Sequence, residues 1–356
     1  MSEVRAKKAL GQHFLVDLNI ARKICDALSG GVRPEAGAET RAVAAGSADA
    51  DAETRTRVAG YAGAGAEART MAAGSADAGA EARTKATGTA DADAETRRGV
   101  AASADARLAA DTTAAGAPAA AEEERGGAVP CDVLEVGCGM GVLTQFLLRR
   151  DDIVTYGAEI DPESVEYLHA HYPEFTPRLM EGDFLKMNLR ELFPGGLKII
   201  GNFPYNISSQ IFFKVLENRD LVPECVGMIQ KEVAVRLAEP PGSKEYGILS
   251  VLLQAWYDIE YLFTVNETVF NPPPKVKSAV IRLRRNGVER LACDETLFVK
   301  VVKASFGQRR KMIRNSLRSV FGNFGGAEHP FFTQRAEQLS VADFVELTDW
   351  VAANRT

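Results

Sequence analysis

The chain has 356 residues, of which 46% are apolar, so it is long enough for two or three domains and can bury a substantial core. No apolar run reaches about 18 residues, so no membrane span is expected, and the charged N-terminus is not followed by the apolar stretch of a secretory signal. The five cysteines are scattered and form no C-x-x-C pair, which suits a cytoplasmic protein and argues against disulfides or a zinc site.

The net charge of −6 hides an uneven distribution. Residues 33–128 carry 11 basic and 16 acidic side chains, a net charge of −5. Residues 270–320 carry 13 basic and 3 acidic side chains, a net charge of +10. A basic segment on a nearly neutral body predicts a polyanionic partner.

The first segment, residues 1–32, is predicted to be ordered. A basic and apolar lead-in at residues 7–15 is followed by helical spacing over 19–28, where Ile20, Ile24 and Leu28 share one face.

Residues 33–128 form a low-complexity insertion of Ala, Gly, Thr, Asp, Glu and Arg. The sequence A-E-[TA]-R recurs every 14 residues, starting at positions 38, 52, 66, 80 and 94. A period of 14 equals two heptads, so a stable helical stalk is one interpretation. Its core positions would hold Ala, Gly and Thr, which bury too little to offset chain entropy. We therefore expect this insertion to be disordered, with transient helix.

From residue 129 the pattern changes to short strands alternating with helices, which predicts an α/β, Rossmann-like, mostly parallel sheet with helices on both faces. Strands are predicted at 133–136, 156–160, 178–183, 197–203 and 226–229, and helices at 142–149, from Asp161 onward, at 207–216 and at 231–238. Two later strands, 259–265 and 278–283, have no long helix between them and are expected to pair antiparallel at the sheet edge. We therefore place this domain at residues 129–288.

Helical periodicity dominates the rest of the chain, over 298–306, 310–321 and 341–352. Residues 289–356 are therefore predicted to form a small C-terminal α-helical domain that carries much of the basic segment.

Four predicted strand ends carry groups suited to a ligand, and in a doubly wound sheet ligands bind beyond those ends. Gly137, Gly139 and Gly141 allow close backbone approach at the first end. Glu159 follows 22 residues after Gly137, where an acid binds ribose hydroxyls. Asp183 ends the third strand and could accept a hydrogen bond from an adenine amino group.

The fourth end is Gly201-Asn202-Phe203-Pro204-Tyr205. The Asn202 side-chain oxygen can accept a hydrogen bond from an amino group, and a proline leaves the adjoining carbonyls available. Tyr205 offers a flat face on which a base can stack. A nicotinamide dehydrogenase would explain Gly137 and Glu159 but not this motif, whereas an adenosyl cofactor beside an amine pocket explains all four ends.

These stretches resemble the KsgA family of ribosomal RNA small-subunit adenine dimethyltransferases, which are class I S-adenosylmethionine enzymes. The matching stretches are Gly11-Gln12-His13-Phe14-Leu15, residues 134–139, Glu159-Ile160-Asp161, residues 201–208, Gln230-Lys231-Glu232-Val233, residues 270–276 and residues 306–311. Two departures stand out: the insertion at 33–128, and His13 where the family often has Asn.

The resemblance implies that S-adenosylmethionine is the cofactor and that His13, Leu15, Gly137, Glu159, Asp183 and Asn202 contact it, His13 by its ring or backbone. It implies that Asn202, Phe203, Pro204 and Tyr205 form the catalytic pocket. The implied reaction is N6,N6-dimethylation of two adjacent adenosines near the 3′ end of 16S ribosomal RNA, which contributes to ribosome biogenesis. The implied protein is a cytoplasmic monomer that acts on small-subunit RNA or an assembly intermediate.

Basic and aromatic residues of the C-terminal third are candidates for RNA contact. The strongest candidates are Phe270, Lys275, Arg309, Arg310, Lys311 and Arg314, with Lys277, Arg282, Arg284, Arg285 and Arg318 as further phosphate contacts. For the basic residues the alternative is a solvated helix face, and for Phe270 a place in the core. Two other functions also stay open: a macrolide-resistance methylase acting on large-subunit RNA, and a non-catalytic RNA- or DNA-binding factor on the same fold.

Overall fold

The computed structural model describes residues 4, 6, 7, 10–30 and 130–355, all of which belong to one compact unit. The repeat insertion predicted at 33–128 lies outside these ranges. The N-terminal segment forms strand β1 (Phe14–Leu15) and helix α1 (Leu18–Ala27). Helix α1 begins at this point because the Asp17 carboxylate accepts hydrogen bonds from the first free backbone N–H groups, those of Asn19 and Ile20.

The remaining strands are β2 (Cys131–Val136), β3 (Ile153–Glu159), β4 (Leu179–Glu181), β5 (Lys198–Asn202), β6 (Glu224–Gln230), β7 (Tyr257–Val265), β8 (Phe270–Asn271) and β9 (Ser278–Arg285). The remaining helices are α2 (Thr144–Leu147), α3 (Pro162–His171), α4 (Leu189–Leu192), α5 (Ser208–Glu217), α6 (Lys231–Ala238), α7 (Ile248–Gln254), α8 (Glu295–Gly307), α9 (Ile313–Phe321) and α10 (Val341–Asn354).

Seven strands form one sheet in the order β4-β3-β2-β5-β6-β9-β7. The first five are parallel, and β9 and β7 add antiparallel at one edge. The predicted α/β fold and the antiparallel edge pair are both confirmed. From β2 the chain adds β3 and β4 on one side of the sheet, and it then crosses to add β5 and β6 on the other side of β2. The strand order therefore switches between β2 and β5, and a ligand crevice forms at such a point. The short strands β1 and β8 pair antiparallel with each other.

Alternate residues of the central strands point to opposite faces, as the two-residue period of a strand requires. Val133 and Ile200 pack with Ile24 of α1 in one apolar cluster. Their neighbours Leu134 and Ile199 pack in a second cluster with α5, α6 and α7. These parallel strands are therefore apolar on both faces, which is why each reads in the sequence as a nearly continuous apolar run.

The C-terminal helices share the second cluster with the sheet. The Phe298 ring of α8 meets the buried Trp256 edge-to-face at 6.1 Å, and Arg219 lies 4.4 Å over the same indole. The domain boundary expected at residue 288 stays a prediction.

Two helices start later than the sequence pattern predicts, and two, the four-residue α4 and the longer α7, were missed. The helix predicted at 142–149 is the four-residue α2 and begins only at Thr144, because Gly141 has a φ of +75° and residues 141–143 stay in a turn. Helix α9 begins at Ile313 because residues 308–311 form a turn. Helix α7 was missed because its sequence, ILSVLLQ, is apolar all round and has no helical stripe.

Three basic side chains satisfy the carbonyls at the end of α1, and we call them the helix-end clamp. Arg150 donates to Cys25 and Leu28 (3.1 and 3.0 Å), Arg282 to Ala27 (3.1 Å), and Lys198 to Ser29 and Gly30 (2.8 and 3.3 Å). Lys198 also pairs with the buried Glu224 at 3.2 Å. The clamp supplies donors and positive charge where a helix leaves its last carbonyls free.

The clamp lies on the amino side of the sheet, where the parallel strands begin. Lys198 and Glu224 are the first residues of β5 and β6. The backbone N–H of Cys131, the first residue of β2, donates to the Asp152 carbonyl at 3.3 Å, and a Cβ on Gly30 would meet the Asp152 carboxylate at 2.7 Å. The described residues that flank 31–129 therefore meet at one turn on the amino side.

Candidate active site

The first strand end is a glycine turn. Gly137, Gly139 and Gly141 have φ values of +77°, +54° and +75°, a backbone region that glycine enters without strain. A Cβ on Gly141 would lie 2.5 Å from the Tyr172 ring, so no larger residue fits there. The Gly137 N–H donates to the Ala158 carbonyl at 2.9 Å, which joins the turn to β3. Gly137 is the open part of this turn, because a Cβ there would meet no atom closer than 3.9 Å.

Glu159 ends β3 and is only 4% exposed. One of its oxygens accepts from the Gly139 N–H at 2.8 Å, and the other accepts from the N–H groups of Ile160 and Asp161, both at 2.9 Å. Burial raises the pKa of Glu159, and these hydrogen bonds only partly offset it. A carboxylate offers about four lone-pair sites, so one remains for a ligand hydroxyl.

Asp183 follows β4 and caps the next turn, where one of its oxygens accepts from the Leu185 N–H at 3.0 Å. Its other oxygen lies 3.9 Å from the Lys186 amine, at the outer limit of an ion pair. The side chain is 29% exposed. One carboxylate oxygen is therefore free to accept a hydrogen bond from a ligand amine.

Asn202 ends β5, and its side-chain orientation follows from its one hydrogen bond to another described residue. The Nδ2 group donates to the His13 carbonyl at 2.9 Å. Because a carbonyl only accepts, the nitrogen must face His13, and Oδ1 is the remaining side-chain group. Among the described residues, Oδ1 has no hydrogen-bond partner. Asn202 Oδ1 is therefore available to accept a hydrogen bond from a ligand.

Phe203 and Pro204 contribute differently from what their shared motif suggests. The Phe203 side chain is 1% exposed and packs so closely on Gly227 that a Cβ there would lie 2.4 Å from its ring. Its carbonyl oxygen has no partner among the described residues, whereas the Pro204 carbonyl accepts from the Ile207 N–H at 3.1 Å. Any role of Phe203 in the pocket therefore belongs to its backbone.

Tyr205 is half-buried, and its hydroxyl and its ring each have one neighbour. Its hydroxyl makes a 2.5 Å hydrogen bond with Ser278, and the His13 ring lies 5.4 Å away at an interplanar angle of 30°. His13 Nδ1 in turn lies 2.9 Å from the Pro272 carbonyl. Leu15 of β1 is 3% exposed, so its side chain belongs to the core. The His13 contacts bring this residue beside the Asn202 motif, although the sequence separates them by almost 190 positions.

The expected RNA contacts divide into free and occupied side chains. Lys275, Arg310 and Lys311 are exposed, and among the described residues they have no ion-pair partner. Arg309 instead donates to the carbonyls of Lys244 and Tyr246, and Arg314 pairs with Glu328 at 3.3 Å.

Phe270 is 4% exposed, and its backbone pairs with Leu15. It lies in the apolar cluster of α1, so its ring offers no surface to RNA, and the core alternative describes it better.

Three further arginines proposed as phosphate contacts also have partners within the protein. Arg282 pairs with Glu260 at 2.5 Å, Arg284 with Glu224 at 3.4 Å, and Arg285 donates to the Val288 carbonyl at 2.7 Å. They brace the antiparallel end of the sheet.

Sequence reasoning missed Lys7 and Gln12. Lys7 pairs with the buried carboxylate of Asp161, and Gln12 donates to the same group at 3.3 Å. Both lie in the basic lead-in, but nothing in the local pattern names a partner about 150 residues away.

The model of the ribosomal RNA adenine dimethylase family matches residues 130–353. The chain is 60% identical over 221 residues to ribosomal RNA small subunit methyltransferase A of Bacteroides thetaiotaomicron, a match that covers 62% of this chain and 82% of that protein. It is 59% identical over 219 residues to the protein of the same description from Porphyromonas gingivalis, covering 61% and 84%.

The chain is also similar to solved structures, one of which aligns along most of its own length. The dimethyladenosine transferase from Plasmodium falciparum aligns with a TM-score of 0.52 at 25% identity, over 63% of this chain and 90% of that one.

Proposed function

The chain belongs to the ribosomal RNA adenine dimethylase family, and from this premise we propose that it dimethylates N6 of adenosines in 16S ribosomal RNA with S-adenosylmethionine as methyl donor. The observation that carries the proposal is the pair of open acceptors at Asn202 Oδ1 and the Phe203 carbonyl. They follow each other on the chain and suit the two hydrogens of an amino group.

The residues at the strand ends fit an adenosyl cofactor. The glycine turn leaves its backbone accessible, since a Cβ on Gly137 would meet only Pro204 and the Asn202 carbonyl, at 3.9 and 4.0 Å. Glu159 keeps one acceptor site for a ribose hydroxyl, and Asp183 keeps one oxygen for the adenine amino group. His13, Leu15 and Asn202 complete the proposed contact set. When bound, S-adenosylmethionine supplies an electrophilic methyl group.

The chain's own residues prepare the acceptor amine. Adenine N6 is a poor nucleophile because its lone pair is delocalised into the ring. Hydrogen bonds from both amino hydrogens to Asn202 Oδ1 and the Phe203 carbonyl favour a pyramidal nitrogen with a localised lone pair. Stacking on Tyr205 orients the base. Positioning of this kind can lower the activation barrier by several kcal/mol, and by about 7–11 kcal/mol at most. One N–H remains after the first methylation, so the same acceptors can position the base again.

The target adenine must leave its stack to reach this pocket, so single-stranded or looped RNA is the expected substrate form. The free cations Lys275, Arg310 and Lys311 are the proposed phosphate contacts. Two adjacent target adenosines near the 3′ end, a small-subunit assembly intermediate as substrate, a monomeric state and a cytoplasmic location remain predictions from the sequence. No helix in the described ranges is long and apolar enough to cross a membrane.

The test is mass spectrometry of ribosomal RNA nucleosides after incubation of the purified protein with S-adenosylmethionine and a mixture of unmethylated small and large ribosomal subunits, whose RNAs are separated before digestion. We expect N6,N6-dimethyladenosine in 16S RNA, formed about 100- to 1,000-fold more slowly by Asn202→Ala. Methyl groups confined to large-subunit RNA would favour the macrolide-resistance activity instead. RNA binding without methyl transfer would favour the non-catalytic factor. The small-subunit description of the relatives at about 60% identity favours the first outcome.

A further inference from the structure

A short N-terminal segment contacts both the Glu159 loop and the Asn202 motif, and we call its described residues, 7 and 10–13, the strap. Its described residues form a tight turn, in which the Leu10 N–H donates to the Lys7 carbonyl at 3.0 Å and the Lys7 N–H donates to the Gln12 side chain at 2.8 Å. Gly11, with φ of +65°, passes so close to Asn206 that a Cβ would lie 2.6 Å from its side-chain oxygen. The strap therefore lies against the loop that follows Asn202.

One end of the strap holds the loop that presents Glu159. Lys7 Nζ contacts the Asp161 carboxylate and lies 3.1 Å from Glu163, and Gln12 Nε2 donates to Asp161 at 3.3 Å. The Asp161 side chain is fully buried, and its backbone N–H is one of the three donors to Glu159. Burial opposes ionisation of Asp161, but its hydrogen bonds with Lys7, Gln12 and Ser164 keep its pKa below the ordinary value.

The other end of the strap sets the amine acceptor. The residue after Gln12 is His13, whose carbonyl accepts from Asn202 Nδ2 and so directs Oδ1 away from the strap. The His13 ring also flanks Tyr205. One peptide bond thus separates the group that holds the Glu159 loop from the group that orients Asn202.

We propose that Lys7 and Gln12 are positioning residues that align the ribose-binding side of the site with the amine acceptor. They touch neither reactant and act through Asp161 on Glu159, and through His13 on Asn202. Loss of the Lys7 contact then disturbs cofactor binding and, separately, the rate at saturating cofactor. This inference rests on the proposed function, and its test distinguishes a failure of the positioning role from a failure of the methyl-transfer function.

The test compares Lys7→Met with Lys7→Arg, which can still pair with Asp161. The matched control is Lys23→Met on the exposed face of α1, where Lys23 has no ion pair within the described residues. Cofactor affinity is measured by titration calorimetry, and kcat is measured at saturating S-adenosylmethionine on unmethylated small-subunit particles. Thermal unfolding checks that the fold is intact, as expected for a lysine whose side chain is 36% exposed.

We expect Lys7→Met and Gln12→Ala each to weaken cofactor binding and to lower kcat by about tenfold, since small displacements of positioned groups are costly. Lys7→Arg and Lys23→Met should stay within about twofold of wild type on both readouts. We call the link that Lys7 and Gln12 make between the Glu159 loop and Asn202 the coupling. A Lys7→Met variant that loses cofactor affinity but keeps wild-type kcat would overturn it, as would a variant unchanged in both.

A second readout serves if the wild-type protein transfers no methyl groups, a result that would refute the proposed function alone. Hydrogen exchange of residues 201–205 is followed with and without S-adenosylmethionine. Under the coupling, the cofactor protects this loop in wild type and in Lys7→Arg but not in Lys7→Met. Equal protection in all three would overturn it.

Discussion

The two sides of the sheet treat their polar groups in opposite ways. On the amino side, Lys198 contacts two backbone carbonyls, one hydroxyl and the Glu224 carboxylate, so its donors are fully used. On the carboxyl side, Asn202 Oδ1, the Phe203 carbonyl and one Asp183 oxygen have no close partner within the described ranges. The amino side therefore satisfies its polar groups within the protein, whereas the carboxyl side keeps acceptors available for a ligand.

The largest expected effect is on the carboxyl side. Asn202→Ala should lower methyl transfer by about 100- to 1,000-fold, the usual loss for a preorganised polar group at a reacting centre. Cofactor affinity should also fall, because the residue faces both ligands. The free energy of unfolding should change by only about 1 kcal/mol, since a single hydrogen bond to His13 is lost.

The control for Asn202 is Asn218→Ala, which removes a similar side-chain bond to a carbonyl at the end of α5. It should leave transfer unchanged. An Asn202→Ala variant with more than about a tenth of wild-type rate, where the usual loss is about 100-fold or more, would contradict the amine pocket.

The next effect is on the amino side, where a substitution should lower the free energy of unfolding and leave methyl transfer unchanged. Lys198→Met leaves the buried Glu224 without its main cation and should cost about 3–5 kcal/mol of unfolding free energy. Methyl transfer per folded molecule should be unchanged. Urea unfolding gives the first quantity, and a methyl-transfer assay scaled to the folded fraction gives the second.

Lys198→Met combined with Glu224→Gln should recover part of that loss, because no charge is then buried unpaired. Lys300→Met, at an exposed lysine, serves as the control. A loss of catalysis in the folded Lys198 variant would break the separation between the two sides.

Tyr205→Ala comes third. Loss of base stacking should lower transfer by about 5- to 150-fold, corresponding to about 1–3 kcal/mol per stacked base. Cofactor affinity should hold within about twofold, because the proposed adenosyl contacts with Glu159 and Asp183 remain. Tyr205→Phe keeps the ring but loses the Ser278 bond and should retain most of the rate. Calorimetry and single-turnover assays separate these variants, and equal losses in both would assign the effect to the hydroxyl.

A smaller effect is expected from the free cations outside the pocket. Arg310→Gln and Lys311→Gln together should flatten the salt dependence of RNA binding, with each lost phosphate contact lowering the log–log slope by about 0.7–0.9. Arg309→Gln should leave that slope unchanged, because Arg309 already donates to the carbonyls of Lys244 and Tyr246. Filter binding at several salt concentrations checks this, and an unchanged slope in the double variant would assign both residues to a solvated surface.

The smallest effect should follow replacement of residues 33–128 by a short Gly/Ser linker. The described residues on either side of 31–129 meet at the Asp152 turn on the amino side, away from the acceptors at Asn202 and Phe203. Rate and cofactor affinity should stay within about twofold, and loop-closure entropy predicts a stability gain of about 2 kcal/mol or less. Thermal unfolding and the methyl-transfer assay measure both. A large loss of ribosomal RNA methylation would show that the insertion contributes to substrate docking.

Sequence patterns predicted most of the fold, and their failures have physical causes. The strands β2, β5 and β6 are buried on both faces and read as apolar runs, so they were found. Strands β1 and β8 have two residues each and exist only because they pair with each other, which no local pattern encodes. The acceptors at Asn202 and Phe203 were predictable, because their motif follows a strand. The Lys7–Asp161 contact and the use of Arg309 inside the protein depend on distant chain segments and could not be read locally.

The helix-end clamp also bears on how this gene can change over time. Near-identical 14-residue units lengthen or shorten by recombination without shifting the reading frame. Because Arg150, Lys198 and Arg282 secure α1 using only groups outside those units, a gain or loss of copies should not alter the catalytic frame. Selection for RNA methylation would then not act on the number of 14-residue units. We expect sequences from close relatives that carry the insertion to differ in repeat number while keeping the three clamp residues.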